Sequence, residues 1–146
     1  MPAPDFKGLN QHGNEIKLSD FKGKKVILYF YPKDDTPGCT AEACSLRDGL
    51  SELNELNMDV IGVSADSVES HRKFAEKYNL PFHLISDPEK IIIKAYDVWG
   101  KKQFMGKVFD GLIRTTFIID ENGNISHVIT DVNTKEHAQQ IKELMG

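Results

Sequence analysis

The chain has 146 residues, 40% apolar and 27% charged, a length and make-up that predict one globular domain over residues 1–146 whose hydrophobic core needs no disulfide to fold. Its net charge of -4 argues against a general affinity for nucleic acid or anionic membrane, both of which favour a basic surface. No basic segment followed by an apolar stretch opens the chain and no run of about eighteen apolar residues occurs, so neither a secretion signal nor a membrane span is expected, and a reducing, cytoplasmic location is the default.

In chain order, the first twenty residues, with "HGN" between short apolar patches, predict a small hairpin, and Lys22, Lys24 and Lys25 a charged turn. "VILYFY", Val26 to Tyr31, is a β-branched and aromatic run of strand length, the pattern of a central strand buried on both faces. Asp34 and Asp35 follow as a solvated turn. Leu46, Leu50, Leu53 and Leu56 recur at helical spacing and predict a helix from Pro37 to Asn57. "DVIGVS" is a second buried strand. Asp66 with Glu69 resembles a capping box, and Val68, Ala75 and Tyr78 continue one face of a second helix to Asn79, with His71 on its surface. "FHLIS" is a short strand, whereas "EKIIIKAYDV" fits a short helix or a strand equally well. The segment holding Trp99, Phe104, Met105 and Phe109 is assigned to no element; simple packing is expected of it. In "TTFIIDENGNISHVIT" two strand runs flank Asn122-Gly123, a dipeptide suited to the positive φ angles of a tight hairpin turn. Thr134 opens a last helix with Ala138, Ile141, Leu144 and Met145 on one side and His137 on the surface. This order implies an α/β fold with a mostly parallel core sheet and an antiparallel C-terminal hairpin.

Both cysteines, Cys39 and Cys44, lie at the start of the first long helix, spaced C-x4-C. A structural zinc site needs four ligands, usually from two close pairs, and the five histidines form no close pair, so a metal centre is not expected. A dithiol oxidoreductase would carry C-x-x-C, which is missing. Along an intact helix, Cα atoms five positions apart are roughly 8 to 9 Å from each other and point about 140° apart. A disulfide needs less than about 7 Å. A bond between the two would therefore require the first helical turn to unwind, which suits a reversible switch better than a static staple. Thr36 as N-cap and Pro37 as first helical residue put Cys39 in the first turn, where free N–H groups and the positive end of the helix dipole favour a thiolate. Gly38 lets a small substrate approach. These features alone leave Cys39 equally well explained as a small core residue.

The string Pro32, Thr36, Cys39 is P-x-x-x-T-x-x-C, the signature of peroxiredoxins. The longer stretch "YFYPKDDTPGCTAEACSLRD", together with "APDF", "VIGVSADS", "FAEKYNLPFHLISDP" and "RTTFIIDENGNI", resembles the bacterioferritin-comigratory-protein branch of that family over nearly the whole chain. Leu46 stands where the branch often has an aromatic residue. The resemblance implies a thioredoxin-like fold, a central mixed β-sheet flanked by helices, with an N-terminal β-hairpin extension. It implies an antioxidant thiol peroxidase acting on hydrogen peroxide and organic hydroperoxides, with Cys39 as the peroxidatic residue that becomes a sulfenic acid. By the same resemblance Thr36 hydrogen-bonds sulfur and peroxide, Pro32 shields the sulfenic acid, Arg114 stabilises the thiolate and the departing oxygen, and Glu42 orients Arg114. Cys44 corresponds to the resolving cysteine that closes an intrachain disulfide. The cysteine pair itself would be the redox centre, without metal, flavin or haem. Thioredoxin or a glutaredoxin-like thiol would regenerate it, and a monomer, or at most a weak dimer, would suffice. The competing classes are a redox sensor using the same cysteine switch and a thiol-disulfide exchange protein, the latter disfavoured by the missing C-x-x-C.

Overall fold

The computed structural model describes residues 1–145 of the chain; Gly146, the last residue of the expected domain, and the side chain of Phe104 lie outside the described residues. The elements run β1 (Lys7–Leu9), β2 (Glu15–Lys17), a 3-10 turn (Leu18–Phe21), β3 (Lys25–Phe30), α1 (Pro37–Asp48), α2 (Leu50–Glu55), β4 (Met58–Ser64), α3 (Val68–Tyr78) and β5 (His83–Ser86). They continue with α4 (Ile91–Ala95), β6 (Trp99–Phe104), β7 (Lys107–Leu112), β8 (Thr115–Ile119), β9 (Ile125–Ile129) and α5 (His137–Met145). A seven-stranded sheet in the order β2-β1-β5-β4-β3-β8-β9 forms the centre. β3, β4 and β5 are mutually parallel, and β8 closes antiparallel on β3. The sheet is therefore mixed, and the N-terminal pair β1–β2 forms the expected hairpin.

Alternation along β3 explains its position. Ile27, Tyr29 and Tyr31 enter the core built with α1, α2, α3 and α5, while Val26, Leu28 and Phe30 enter the core on the opposite face with α4. Only a strand covered on both sides can be apolar at every position, as Val26 to Tyr31 is.

Several boundaries differ from expectation for identifiable reasons. The helix expected from Pro37 to Asn57 is broken into α1 and α2 at Gly49, where a β-carbon would stand 2.6 Å from Cβ of Ala138. The close approach of α5 fixes the bend. Ser67, not Asp66, caps α3: its hydroxyl accepts the Ser70 N–H at 3.1 Å. The ambiguous "EKIIIKAYDV" contains a helix, α4, because the Asp87 carboxylate accepts the N–H groups of Ile91 and Ile93 and so satisfies its first turn. In the β8–β9 turn only Gly123 has positive φ, 82°, while Asp120 accepts the Gly123 N–H. α5 starts at His137 rather than Thr134, and Leu144, expected on its apolar side, is exposed. The unassigned segment is the separate hairpin β6–β7, with Phe109 paired opposite Lys102 and Met105 at its exposed turn. Among the described residues no helix is long and apolar enough to cross a membrane.

Candidate active site

β3 delivers the chain through Tyr31 and half-buried Pro32 into the loop that opens α1. Thr36 is the N-cap by backbone position, with its carbonyl accepting the Thr40 N–H at 2.8 Å, but its hydroxyl does not cap. It donates instead to the Lys33 carbonyl at 2.9 Å. Cys39 follows in the first turn, 1% exposed, and Cys44 lies further along the same unbroken helix, half-buried; both are free thiols.

Arg114 immediately precedes β8. The antiparallel register pairs Thr115 with Phe30, so Arg114 stands beside the end of β3 and faces the start of α1. Its guanidinium divides its donors. Nη2 donates to Sγ of Cys39 at 3.2 Å, and Nη1 donates to Oε1 of Glu42 at 2.6 Å. Burial works against the guanidinium charge, but Glu42 and the Cys39 sulfur more than offset it and raise its pKa. Gly38 makes this approach available, because a β-carbon there would stand 3.2 Å from Nη2.

Glu42 has no exposed surface. Burial raises its carboxyl to about 7, with the Arg114 charge and hydrogen bond opposing the rise. Its second oxygen, Oε2, has no hydrogen-bond partner among the described residues; it is 3.5 Å from Nε2 of His137, within ion-pair range but beyond good hydrogen-bond geometry. From β3 the buried Tyr29 hydroxyl faces the same region, and burial first, then Glu42 and Cys39, keep it a neutral phenol. Lys102 on β6 is a further nearby cation: burial and Arg114 depress its pKa, and Cys39 opposes them.

The structure thus brings together Cys39, Arg114, Glu42 and Gly38, and sets Thr36 and Pro32 on the loop leading into them. Sequence reasoning misplaced two histidines and an aspartate. His137 and His71 are fully buried, not on helix surfaces. His137 precedes Ile141 by one helical repeat, and His71 lies likewise before Phe74 and Ala75, so helical spacing puts both on apolar stripes. Asp34 is likewise buried, not a solvated turn residue, whereas Asp35 is exposed. Asp34 accepts from Tyr31 at 2.6 Å and Ser70 at 2.8 Å, and pairs with Nδ1 of His71 at 2.7 Å. Nε2 of His71 faces the Ile85 carbonyl at 3.0 Å, so both ring nitrogens lie against oxygen atoms. Asp66 accepts from the Asp34 N–H and the Ser64 hydroxyl. Asp34, Asp66 and His71 are close enough for metal ligation, but these hydrogen bonds already engage their ligand atoms. The network ties the loop before Cys39 to α3.

A sulfur in the first turn of a helix, touched by a guanidinium and placed on a thioredoxin-type sheet, is the arrangement of a thiol peroxidase. The AhpC/TSA family model matches residues 1–128. The chain is 47% identical to peroxiredoxin Bcp of Escherichia coli (strain K12) over 135 residues, covering 92% of this chain and 86% of that one. To peroxiredoxin Bcp of Bacillus subtilis (strain 168) it is 49% identical over 138 residues, 94% of this chain and 88% of the relative. A mutant of Xanthomonas campestris peroxiredoxin Q superposes with a TM-score of 0.89 at 32% identity, covering 96% of this chain and 89% of that chain. A structure concerned with the alkyl peroxide reduction activity of Xanthomonas campestris bacterioferritin comigratory protein matches with TM-score 0.89 and 31% identity, over 96% and 89% of the two chains. The chain belongs to the AhpC/TSA family of peroxiredoxins. It has the thioredoxin fold and is a peroxidase that consumes peroxides at the expense of thiols.

Proposed function

We propose that Cys39 is the peroxidatic residue and Cys44 the resolving one, in a cycle that needs no metal or prosthetic group. The observation that carries this reading is the 3.2 Å contact from Arg114 to a sulfur in the first turn of α1, where a permanent positive charge and free helix N–H groups both favour the thiolate. The thiolate lone pair attacks one peroxide oxygen, an S–O bond forms and the O–O bond breaks. The other oxygen leaves as hydroxide or alkoxide and takes a proton from solvent. Arg114 is placed to steady the charge that grows on it. The Thr36 hydroxyl, its proton committed to Lys33, has lone pairs left to accept from a peroxide O–H. Pro32 shields the product sulfenic acid.

Cys44 then attacks the sulfenic sulfur, forming the disulfide and expelling water. Since both residues sit in one continuous helix, α1 must unwind for this step. Organic hydroperoxides are included because the similar Xanthomonas protein has alkyl peroxide reduction activity. Regeneration is by thiol-disulfide exchange with thioredoxin or a glutaredoxin-like donor, in a reducing cytoplasm, and a single chain suffices for the chemistry, with at most a weak dimer.

The test is to mix fully reduced protein with one equivalent of hydrogen peroxide and follow oxidation by stopped flow and intact mass. Rapid loss of two hydrogens is expected, with Cys39→Ser inert and Cys44→Ser halted at a trappable sulfenic acid. Oxidation no faster than that of an ordinary free cysteine would defeat the assignment.

A further inference from the structure

The hydrogen bonds around α1 show where the unwinding that joins the two cysteines can begin and end. Before the helix, Asp34 is fixed in the buried network with Tyr31, Ser70 and His71. Towards its end, Leu46 has no exposed surface, the Ser45 hydroxyl accepts the Ala138 N–H at 3.1 Å, and Nη1 of Arg47 donates to the Tyr78 carbonyl at 2.6 Å. Tyr78 is the last residue of α3, so its carbonyl has no partner within that helix and is open to the guanidinium. The stretch left between these anchors is residues 35–44, and it holds both cysteines.

Among the described residues, side-chain hydrogen bonds tie that stretch to other elements in two places. One is Arg114, with its bonds to Cys39 and Glu42, and conversion of the thiolate to a sulfenic acid takes away the charge that holds the first of them. The other is Asp35. Its Oδ2 accepts from Nζ of Lys77 at 2.9 Å and its Oδ1 accepts the Tyr78 hydroxyl at 2.8 Å, and these bonds, Lys77 first, hold its carboxyl below the ordinary range. Asp35 has φ 56°, a left-handed backbone that an unwound loop need not keep. The half-buried Tyr78 ring packs edge-on against Phe74, with 5.5 Å between centroids, so its hydroxyl is a fixed point, whereas Lys77 is exposed. Neither bond to Asp35 involves the sulfur, so oxidation of Cys39 leaves this tie in place.

We propose that Tyr78 is a positioning residue for the resolving step: with Lys77 it latches Asp35, and the opening of that latch helps set how fast Cys44 reaches the Cys39 sulfenic acid. This rests on the roles assigned above to Cys39 and Cys44. The latch acts as a timer on the sulfenic acid. While it is closed, a second peroxide competes for the same sulfur: an S–O bond forms, the O–O bond breaks, sulfur loses two more electrons, and water leaves behind a sulfinic acid. Once it opens, the Cys44 thiol attacks instead, the S–S bond forms, the S–O bond breaks and water departs. Oxidised chains are thereby divided between the recyclable disulfide and the sulfinic acid. Both bonds of the latch lie at the surface, so its effect on the rate is modest.

In the experiment the reduced chain is mixed with excess hydrogen peroxide, quenched with acid at intervals and read by intact mass, which separates sulfenic acid, disulfide and sulfinic acid. Tyr78→Phe keeps the ring and the backbone carbonyl and removes only the hydroxyl. It is expected to form the disulfide about threefold faster than the parent and to yield about threefold less sulfinic acid per disulfide, with sulfenic acid formation unchanged in rate. Lys77→Met removes the other bond to Asp35, should act in the same direction, and decides the matter if the first variant does not fold. Glu52→Gln breaks an exposed ion pair with Lys142 that joins α2 to α5, and should leave the disulfide rate as it is. An unchanged disulfide rate in Tyr78→Phe, or an equal acceleration in Glu52→Gln, overturns the proposal and leaves Cys44 in its role. A parent chain that reaches the sulfenic acid but never the disulfide overturns the assignment of Cys44 and the proposal with it.

Discussion

Replacing Glu42 by glutamine should make the protein more stable in neutral and alkaline solution while slowing its reaction with peroxide. The folded protein raises the Glu42 carboxyl from 4.5 to about 7 by burial, so the folded state binds this proton more tightly than the unfolded chain does. Below the unfolded value both states are protonated and the residue is neutral to stability. As pH rises through the window between the two values, the unfolded chain ionises first and stability falls; above about 7 the loss is complete. The size of the shift corresponds to about 3 kcal/mol at full ionisation, an order-of-magnitude figure. Glu42→Gln keeps the shape and removes the titration. Urea unfolding of both chains under reducing conditions, from pH 4 to pH 8, should show the variant gaining on the parent by that amount, most of it between pH 5 and pH 7. A difference independent of pH would refute the claim that burial dominates this carboxylate. The peroxide rate should fall in the same variant, because Arg114 loses the anion that orients it.

Gly38→Ala should push Arg114 away from the sulfur by a few tenths of an ångström and lower the second-order rate of oxidation by about tenfold, the scale of a small misplacement in an oriented site, while circular dichroism stays unchanged. Asp34→Ala would leave the Tyr31 and Ser70 hydroxyls and Nδ1 of His71 without their shared acceptor and should cost about 1–3 kcal/mol in chemical denaturation, part of it recovered by adding His71→Leu. If the double variant is as unstable as the single one, the two residues are not a pair. Leu46→Ala, at a position with no exposed surface, should cost about 2–5 kcal/mol of unfolding free energy by urea titration.

Much of this molecule was legible in its sequence because the signals were local. A strand apolar at every position, leucines at helical spacing, Asn-Gly between strand runs and Thr-Pro-Gly-Cys at a helix start each depend on a few neighbouring residues. Capping and dipole rules placed Cys39 where a thiolate is favoured but explained a small core residue equally well, and it was the P-x-x-x-T-x-x-C resemblance that tipped the balance towards chemistry. What the sequence left undecided depended on residues far apart in the chain. Gly49 breaks the long helix only because Ala138 of α5 presses against it. "EKIIIKAYDV" turned helical through the Asp87 carboxylate, and Asp34 looked like a solvated turn until α3 carried His71 and Ser70 over it. His137 joined the candidate site through a chain of contacts that runs from α5 to α1 and β8. Periodicity can say which side of a helix is buried, but not what it is buried against. The charge state of Glu42 is of that second kind: it is set by what surrounds the carboxyl once Arg114, His137 and Thr116 have been folded around it, and no local pattern encodes that environment.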